Sequence, residues 1–340
     1  MSRPRKLDDH AASYGIKSQM EINEQGYMRD NCRENAELYR ANKNGKLIPS
    51  IIQIEPIFGC NASCIMCVID MPTTRKKMAM PMELFRKVVD DLVPYKDTIV
   101  QIDLFGLGEP LLDNHIFERI RYMKAKGLQG IGISTNADLM HEGKQLFLLE
   151  SGVDTVIVSI ESTKKEVHER IRVNTNFERV IENANGLIKK RDAGNYNTKF
   201  VFRFISQDMN RDDWEEYKRY WDSRIDRRKG DQVNLYEVHN WVGEARVKAG
   251  ERSDDVEALG CYQVFDRAFI LSDGTMSMCS CDLHHPYVAI GNVADANVIE
   301  LFNNSRMKKI RDIHLSGRKY SIDICKKCNL LYSRQRKEVF

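Results

Sequence analysis

Six short apolar segments, separated by helical patterns, are the feature that most constrains the fold. They are "IIQIEP" (51–56), "TIVQIDLF" (98–105), "QGIGIST" (129–135), "DTVIVSIE" (154–161), "TKFVFRFI" (198–205) and "QVNLYEV" (232–238). Each is rich in Val, Ile, Leu and Phe, as expected for strands that are buried on both faces. Helical patterns such as "MELFRKVVDDLV" lie between them. This alternation predicts parallel βα units, and both a partial or full (β/α) barrel and an open doubly wound sheet fit it.

The pattern changes after about residue 245. A polar connection leads to "AFILSDGTMSMCSCD", which predicts a β-hairpin that turns at Asp273 and Gly274. We therefore predict three parts: a helical extension over 1–49, an α/β core over 50–245 and a small cysteine-rich domain over 246–340. Both candidate core folds carry their chemistry at the C-terminal ends of the strands.

The charge and hydropathy of the chain exclude several classes of partner. The 52 basic and 49 acidic residues leave a net charge of only +3, which gives no reason to expect binding to nucleic acid or to an anionic membrane. No run of about 18 apolar residues is present. The first residues, "MSRPRKLDDHAASYG", do not resemble a secretory signal. We expect a cytoplasmic protein.

The cysteines fall into two groups. Eight of the nine lie in these groups, with almost 200 residues between them. Disulfides are rare in a reducing compartment, so this distribution predicts two metal or cluster sites. The ninth, Cys32, is interpreted as an inert thiol on a helix.

The first group has three thiols, Cys60, Cys64 and Cys67, in "CNASCIMC" directly after the first predicted strand. Three thiolates can hold three irons of a [4Fe–4S] cluster and leave the fourth iron open, whereas a closed structural site uses four ligands. A chance trio or an incomplete zinc site is the alternative.

The C-x3-C-x2-C spacing of these thiols resembles the signature of the radical S-adenosylmethionine (radical SAM) superfamily. The resemblance implies a partial (β/α)6 TIM-like barrel followed by the small domain. It also implies that the open iron chelates the amino and carboxylate groups of SAM. Reductive cleavage would then give methionine and a 5′-deoxyadenosyl radical, which abstracts a hydrogen atom from the substrate.

Further segments resemble the same family in the same order. "FGLGEP" (105–110) resembles its Gly-Gly-Glu motif, in which glycines allow close backbone approach and Glu109 would receive the SAM ammonium. Arg172 would pair with the SAM carboxylate, and Met66 would lie against the adenine. The full set of SAM contacts that the resemblance implies is Met66, Gly106, Gly108, Glu109, Ser134, Asn136, Ser159 and Arg172. Turn chemistry at strand ends is the alternative for Ser134, Asn136 and Ser159, and a surface position is the alternative for Arg172.

The second group reads C-x12-G-x4-C and then C-x2-C. This pattern resembles the SPASM extension, or its shortened form, twitch, found on some radical SAM enzymes. Because the printed sequence has no thiol after Cys328, we expect the shortened form. The resemblance implies one auxiliary [4Fe–4S] cluster with the ligands Cys261, Cys279, Cys325 and Cys328. A zinc ribbon built from the same four thiols is the alternative.

Cys281 is an additional thiol two residues after Cys279, and the glycine spacing favours Cys279 as the ligand. Cys281 is then either inert or a hydrogen-atom donor beside the pocket. Catalytic candidates also follow the last predicted strand, in "YEVHNWVGEAR" (236–246): His239, Glu244 and Arg246.

The expected reaction is the oxidation of a small polar substrate of sugar, aminocyclitol or nucleoside type, with the auxiliary cluster as electron acceptor. A reductant such as flavodoxin or ferredoxin would be a partner. The alternatives are an epimerase that uses Cys281, a decarboxylase, a peptide-modifying enzyme and a metal-binding assembly protein that is not an enzyme. The Gly-Leu-Gly-Glu segment argues against the last of these.

Overall fold

A computed structural model describes residues 37, 39–41, 46–245 and 260–330. Its strands are β1 (Ile51–Ile54), β2 (Ile57–Phe58), β3 (Ser63–Cys64), β4 (Met78–Ala79), β5 (Gln101–Leu104), β6 (Ile131–Thr135), β7 (Thr155–Ser159), β8 (Arg172–Val173), β9 (Lys199–Ser206), β10 (Gln232–Glu237), β11 (Arg267–Ile270), β12 (Thr275–Ser277) and β13 (Ala289–Asn292). Its α-helices are α1 (Met82–Leu92), α2 (Ile116–Ala125), α3 (Glu142–Glu150), α4 (Lys165–Ile171), α5 (Phe177–Ala193), α6 (Trp214–Asp222), α7 (Gln263–Asp266), α8 (Val298–Phe302), α9 (Ser305–Leu315) and α10 (Asp323–Lys327).

The six predicted strands form a parallel wall, as the sequence indicates. They correspond to β1, β5, β6, β7, β9 and β10, and every neighbouring pair among them is parallel. The order in the sheet is β10-β9-β7-β6-β5-β1-β11-β12-β13. Helices connect successive strands, so the expected partial (β/α)6 barrel is confirmed.

The hairpin of the small domain continues the same sheet. Strand β11 pairs in parallel with β1, and β12 and β13 follow in antiparallel order. The turn lies at Asp273 and Gly274, as predicted, and Gly274 has a positive φ of 86°. The sequence did not predict that the second domain would add strands directly to the edge of the barrel.

Alternating side chains on β9 separate the outer core of the barrel from its interior. Phe200, Phe202 and Phe204 are buried, and Phe202 stacks on Trp221 of α6 with ring centroids 3.9 Å apart. The intervening residues, which include Arg203, therefore face the barrel interior, because successive side chains of a strand point to opposite faces. This alternation places a charged residue inside the barrel.

Some expectations fall on residues outside the described ranges. They include Cys32, Arg246, most of the predicted extension over 1–49 and the connection at 246–259. The domain boundaries therefore stay predictions. Among the helices of the described ranges, none combines the length and apolarity needed to cross a membrane.

Candidate functional site

Three thiols lie on the segment that follows β2, with Cys64 in the short strand β3. Cys60, Cys64 and Cys67 are partly buried and all line one cavity. Burial, with a smaller contribution from the neighbouring thiols, raises the pKa of the Cys60 thiol to about 11 and the pKa of the Cys67 thiol to about 12. A raised pKa means that the thiolate form is unfavourable when no metal is bound. A bound metal cluster stabilises the thiolates, because thiols bind metals in the deprotonated form. The donor set therefore fits a cluster that is held by three thiolates.

Gly108 brings the Gly-Leu-Gly-Glu loop against the segment that leads into the thiols. A Cβ at this position would lie 2.3 Å from the Ile57 carbonyl oxygen and 2.8 Å from that of Gly59. The next residue, Glu109, donates its backbone N–H to the Gly59 oxygen at 2.9 Å. Only glycine permits this approach of the two backbones.

The Glu109 carboxylate is buried and fixed by three donors. It accepts hydrogen bonds from Thr135 Oγ1 at 2.7 Å, the Asn136 backbone N–H at 2.8 Å and the Leu111 backbone N–H at 3.1 Å. Burial raises its pKa, and these three hydrogen bonds oppose that shift. A carboxylate has about four acceptor positions. One position is therefore left for a further donor, and the role of Glu109 as acceptor for the SAM ammonium stays a prediction.

The predicted strand-end residues lie around the same cavity. Asn136 Nδ2 donates to Asn61 Oδ1 at 2.9 Å and lies 3.9 Å from Cys60 Sγ. Ser134 and Ser159 both accept hydrogen bonds from Arg203 Nη2, at 2.9 and 2.6 Å. Sequence reasoning missed Arg203, although an arginine inside an otherwise apolar strand segment is a detectable signal.

Arg172 is buried beside the first thiol group. It forms a two-contact ion pair with Glu161, and its Nη1 lies 3.6 Å from Cys64 Sγ. Residues 63–64 pair with 172–173 as strands β3 and β8, which fixes this proximity. The guanidinium thus faces the thiols, while its predicted contact with the SAM carboxylate stays a prediction.

Met66 is buried against Ile171 and Val238. Its carbonyl oxygen accepts a hydrogen bond from Trp241 Nε1 at 3.0 Å. Trp241 follows the last barrel strand, so this bond joins the cysteine loop to the far wall of the cavity. The predicted contact of Met66 with adenine stays a prediction.

A cavity of about 620 Å³ extends from the three thiols into the barrel. Its lining includes polar side chains from all six parallel strands of the barrel and from the hairpin: Gln53, Gln101, Asp103, Ser134, Ser159, Arg203, Tyr236 and Arg267. Gln101 Nε2 donates to Asp103 Oδ1 at 2.8 Å. Burial raises the pKa of Asp103 to about 6. Sequence reasoning also missed Asp103, which interrupts the apolar segment "TIVQIDLF".

A buried ion pair between Glu55 and Arg75 connects the barrel to the second domain. Glu55 accepts hydrogen bonds from the Leu107 N–H at 3.0 Å and from the Ser272 N–H at 3.1 Å. Arg75 Nη1 also donates to the Leu283 carbonyl at 2.7 Å. The pair thus holds the Gly-Leu-Gly-Glu loop, the segment after the cysteines and the hairpin together.

The catalytic candidates after β10 lie in different surroundings. His239 lines the barrel cavity, and its Nδ1 accepts the Trp241 backbone N–H at 3.3 Å. Glu244 lies outside the cavity lining; its carboxylate contacts His284 Nδ1 at 2.8 Å and the Tyr287 hydroxyl at 3.3 Å. Arg246 lies outside the described residues. The catalytic roles of all three stay predictions.

The second thiol group surrounds a small, separate cavity. Its lining includes Cys261, Cys279, Cys281, Cys325, Cys328, His314 and Lys319. Burial raises the pKa of the Cys325 thiol, and burial lowers the pKa of His314 to about 4, so this histidine is neutral. A group of five thiols, two buried and three partly buried, fits a four-ligand iron–sulfur cluster with one thiol in excess.

Cys281 belongs to this second group. It is 4% exposed, its Sγ lies 3.6 Å from Cys328 Sγ, and it does not line the barrel cavity among the described residues. The choice between Cys279 and Cys281 as ligand stays open, and the assignment of Cys279 stays a prediction.

Two family models cover the two sites. The model of the radical SAM superfamily matches residues 54–219, which contain the three thiols and the Gly-Leu-Gly-Glu loop. The chain belongs to the radical SAM superfamily. The SPASM model, an iron–sulfur cluster-binding domain, matches residues 261–329, which contain all five later thiols. This radical SAM protein is therefore an enzyme that binds SAM, a [4Fe–4S] cluster and an auxiliary cluster.

Curated relatives match only part of this radical SAM protein. A probable GTP 3′,8-cyclase of Methanothermobacter thermautotrophicus is 33% identical over 137 residues, which are 40% of this chain and 42% of the relative. A tungsten-containing aldehyde ferredoxin oxidoreductase cofactor-modifying protein of Pyrococcus furiosus is 31% identical over 102 residues, 30% of this chain and 28% of the relative. The chain thus spans less than half the length of these relatives.

Solved structures share the fold over most of the chain. BtrN in complex with AdoMet and 2-DOIA has a TM-score of 0.58 at 15% identity, covering 86% of this chain and 97% of BtrN. SuiB of Streptococcus suis bound to its precursor peptide SuiA has a TM-score of 0.62 at 14% identity, covering 89% and 74%. At these identities the likeness supports the fold alone.

Proposed function

We propose that this radical SAM enzyme oxidises a small polar substrate that binds in the barrel cavity. The observation that carries the proposal is the polar and charged lining of the cavity of about 620 Å³ that opens from the three thiols. Small-molecule sites are typically concave, with a few placed polar groups that fix orientation. The substrate classes are sugars, aminocyclitols or nucleosides, including their charged derivatives.

The chain's own residues would hold the cofactors at one end of this cavity. With a reduced cluster and SAM bound there, the cofactors supply a hydrogen-abstracting radical. Cys60, Cys64 and Cys67 would ligate the cluster, and Glu109 would accept the SAM ammonium. Arg172, already beside Cys64, would pair with the SAM carboxylate.

Oxidation of an alcohol to a ketone requires the substrate to lose one hydrogen atom, one electron and one proton. SAM bound at the first thiol group would supply the acceptor for the hydrogen atom, and four of the later thiols would hold an auxiliary cluster that could accept the electron. Asp103 is proposed as the proton acceptor, since it lines the cavity and its pKa of about 6 leaves it ionised at neutral pH. An external reductant such as flavodoxin or ferredoxin supplies the initiating electron.

The position of Cys281 favours oxidation over epimerisation. A thiol that donates a hydrogen atom must reach the substrate, whereas Cys281 lines the small second cavity next to Cys328. The solved neighbours include complexes with a small molecule and with a peptide, since BtrN was solved with 2-DOIA and SuiB with a precursor peptide. The charged lining supports a small molecule.

The experiment incubates the anaerobically reconstituted protein with SAM, dithionite and candidate polyols, aminocyclitols or nucleosides in D2O. The proposal expects 5′-deoxyadenosine together with a product that has lost two hydrogen atoms. A product of unchanged composition that contains solvent deuterium would indicate epimerisation and contradict the proposal. Cys60→Ala serves as the control that abolishes SAM cleavage.

A further inference from the structure

Three charged side chains of the barrel cavity, Asp103, Arg203 and Arg267, form no direct ion pair within the described ranges, although the two guanidiniums act on Asp103 at longer range. Asp103 and Arg267 are 2% and 5% exposed. Arg203 donates only to the hydroxyls of Ser134 and Ser159, and Asp103 accepts from an amide, Gln101 Nε2. The Nε atoms of both arginines are buried without a hydrogen-bond partner.

Such unpaired charges are costly in a protein interior. Burying an ionised group without a partner is strongly unfavourable, and buried polar groups are nearly always satisfied. Several other buried arginines of this chain are paired or bonded to carbonyls, as Arg191 is with Asp231 at 2.6 Å. Arg119 and Arg191 also keep one unbonded nitrogen each, but both hold a carboxylate, whereas Arg203 and Arg267 hold none among the described residues. A ligand that supplies an acceptor for the two cavity arginines explains this difference.

The two arginines approach the same carboxylate from different strands. Asp103 lies on β5. Arg267 lies on β11, two strands away on one side, and Arg203 lies on β9, on the other side of β5 in the sheet. Both guanidiniums act electrostatically on Asp103, so all three groups belong to one region of the cavity. The Arg267 guanidinium stacks over the Tyr262 ring at 4.9 Å, which orients it. Two further carboxylates lie near the guanidiniums: Asp266 interacts electrostatically with Arg267, and Glu161, which is paired with Arg172, interacts with Arg203, but neither forms a direct ion pair with them.

We propose that Arg203 and Arg267 bind an anionic group of the substrate, a carboxylate or a phosphate, while Asp103 accepts a hydrogen bond from a hydroxyl or ammonium group of the same molecule. This inference rests on the proposed function, since it assigns chemistry to the substrate of the same cavity. Guanidinium groups recognise both anions by paired, charge-assisted hydrogen bonds. A substrate without an anionic group would leave both arginines unpaired.

The test measures anion binding by thermal stability and by calorimetry, with inorganic phosphate, acetate and neutral glycerol as probes. A ligand that binds the native state raises the melting temperature, and the rise grows with the logarithm of the ratio of ligand concentration to Kd. The variants are Arg267→Met and Arg267→Lys in the reconstituted protein. Arg86→Met, which removes an exposed partner of Glu118, is the matched control.

The proposal expects phosphate, acetate or both to stabilise the wild type and the Arg86→Met control. Arg267→Met should weaken that binding by about 10- to 100-fold, the size of a hydrogen bond to a charged group, and Arg267→Lys should weaken it less. Stabilisation by one anion alone identifies the substrate group as a phosphate or a carboxylate.

Equal binding in Arg267→Met and wild type would overturn the proposal, as would the absence of stabilisation by either anion or equal stabilisation by glycerol. Arg267→Lys keeps a positive charge at the site. It therefore separates the loss of the guanidinium group from a failure of Arg267→Met to fold. Anion binding requires no SAM cleavage. Anion binding without SAM cleavage would therefore refute the proposed function only, whereas cleavage without anion binding would refute this inference only.

Discussion

Replacing Glu55 with glutamine tests whether the ion pair with Arg75 holds the Gly-Leu-Gly-Glu loop to the second domain. The Glu55 and Arg75 side chains are 1% and 4% exposed. Glutamine keeps the shape but loses the charge and one acceptor group, so the guanidinium stays buried without its counter-ion. Removing one partner of a buried pair costs about 3–5 kcal/mol. Arg75 keeps the Leu283 carbonyl at 2.7 Å and the Phe58 ring at 4.0 Å, so we expect the lower end, about 3 kcal/mol.

The assay combines denaturant unfolding of the reconstituted protein with calorimetric titration of SAM. Glu55→Gln should also weaken SAM binding, because glutamine has one acceptor oxygen where glutamate has two. The hydrogen bond from the Leu107 N–H is then weakened, and the Gly-Leu-Gly-Glu loop is held less firmly. The double variant Glu55→Gln/Arg75→Met should lose less stability than the sum of the single changes, since it removes both charges. Glu118→Gln, at an exposed pair, should stay within about 0.5 kcal/mol of wild type. A Glu55→Gln cost as small as that of the control would refute the reasoning.

Three further predictions concern the loop, the auxiliary cluster and the proton acceptor. Gly108→Ala should destabilise the protein by about 1–3 kcal/mol and weaken SAM binding, because its Cβ overlaps the Ile57 carbonyl oxygen. Gly59→Ala, whose Cβ has a nearest neighbour at 3.9 Å, should melt close to wild type, and equal melting of both variants would contradict this account. Cys279→Ala should lose about half of the iron while Cys281→Ala keeps it, as measured by iron assay and electron paramagnetic resonance; the reverse result would make Cys281 the ligand. Asp103→Asn should lower product formation by about 10²–10⁴-fold with SAM binding unchanged. In wild type the rate should fall as the pH drops below about 6, because the carboxylate becomes protonated, and persistence of that profile in Asp103→Asn would exclude this group.

The regular part of this molecule was predictable from local pattern. Apolar segments alternating with helices indicated parallel βα units, and the family resemblance favoured the barrel over an open sheet. The spacing of Cys60, Cys64 and Cys67 indicated a three-thiol site. Both signals depend on short stretches of chain whose period or spacing fixes the geometry. The turn at Gly274 was predictable for the same reason, since a positive φ favours glycine.

The contacts that sequence reasoning missed join distant parts of the chain. Glu55 bonds to Arg75 and to Ser272, which is 217 positions away, and no local pattern connects them. The pairing of β11 with β1 likewise depends on long-range packing. Arg203 and Asp103 were visible as charges within apolar strands, but only strand alternation in the folded sheet shows that they face one cavity.

The central claim is that three thiols hold an open cluster that takes SAM and that a second group holds a closed one. The most direct measurement is the iron content and electron paramagnetic resonance of the reduced protein, with and without SAM. We predict about eight irons per chain, two cluster signals of which one changes on adding SAM, and loss of that one signal and about four irons in Cys60→Ala/Cys64→Ala/Cys67→Ala. A colourless protein that holds only zinc, or spectra that SAM leaves unchanged, would contradict it.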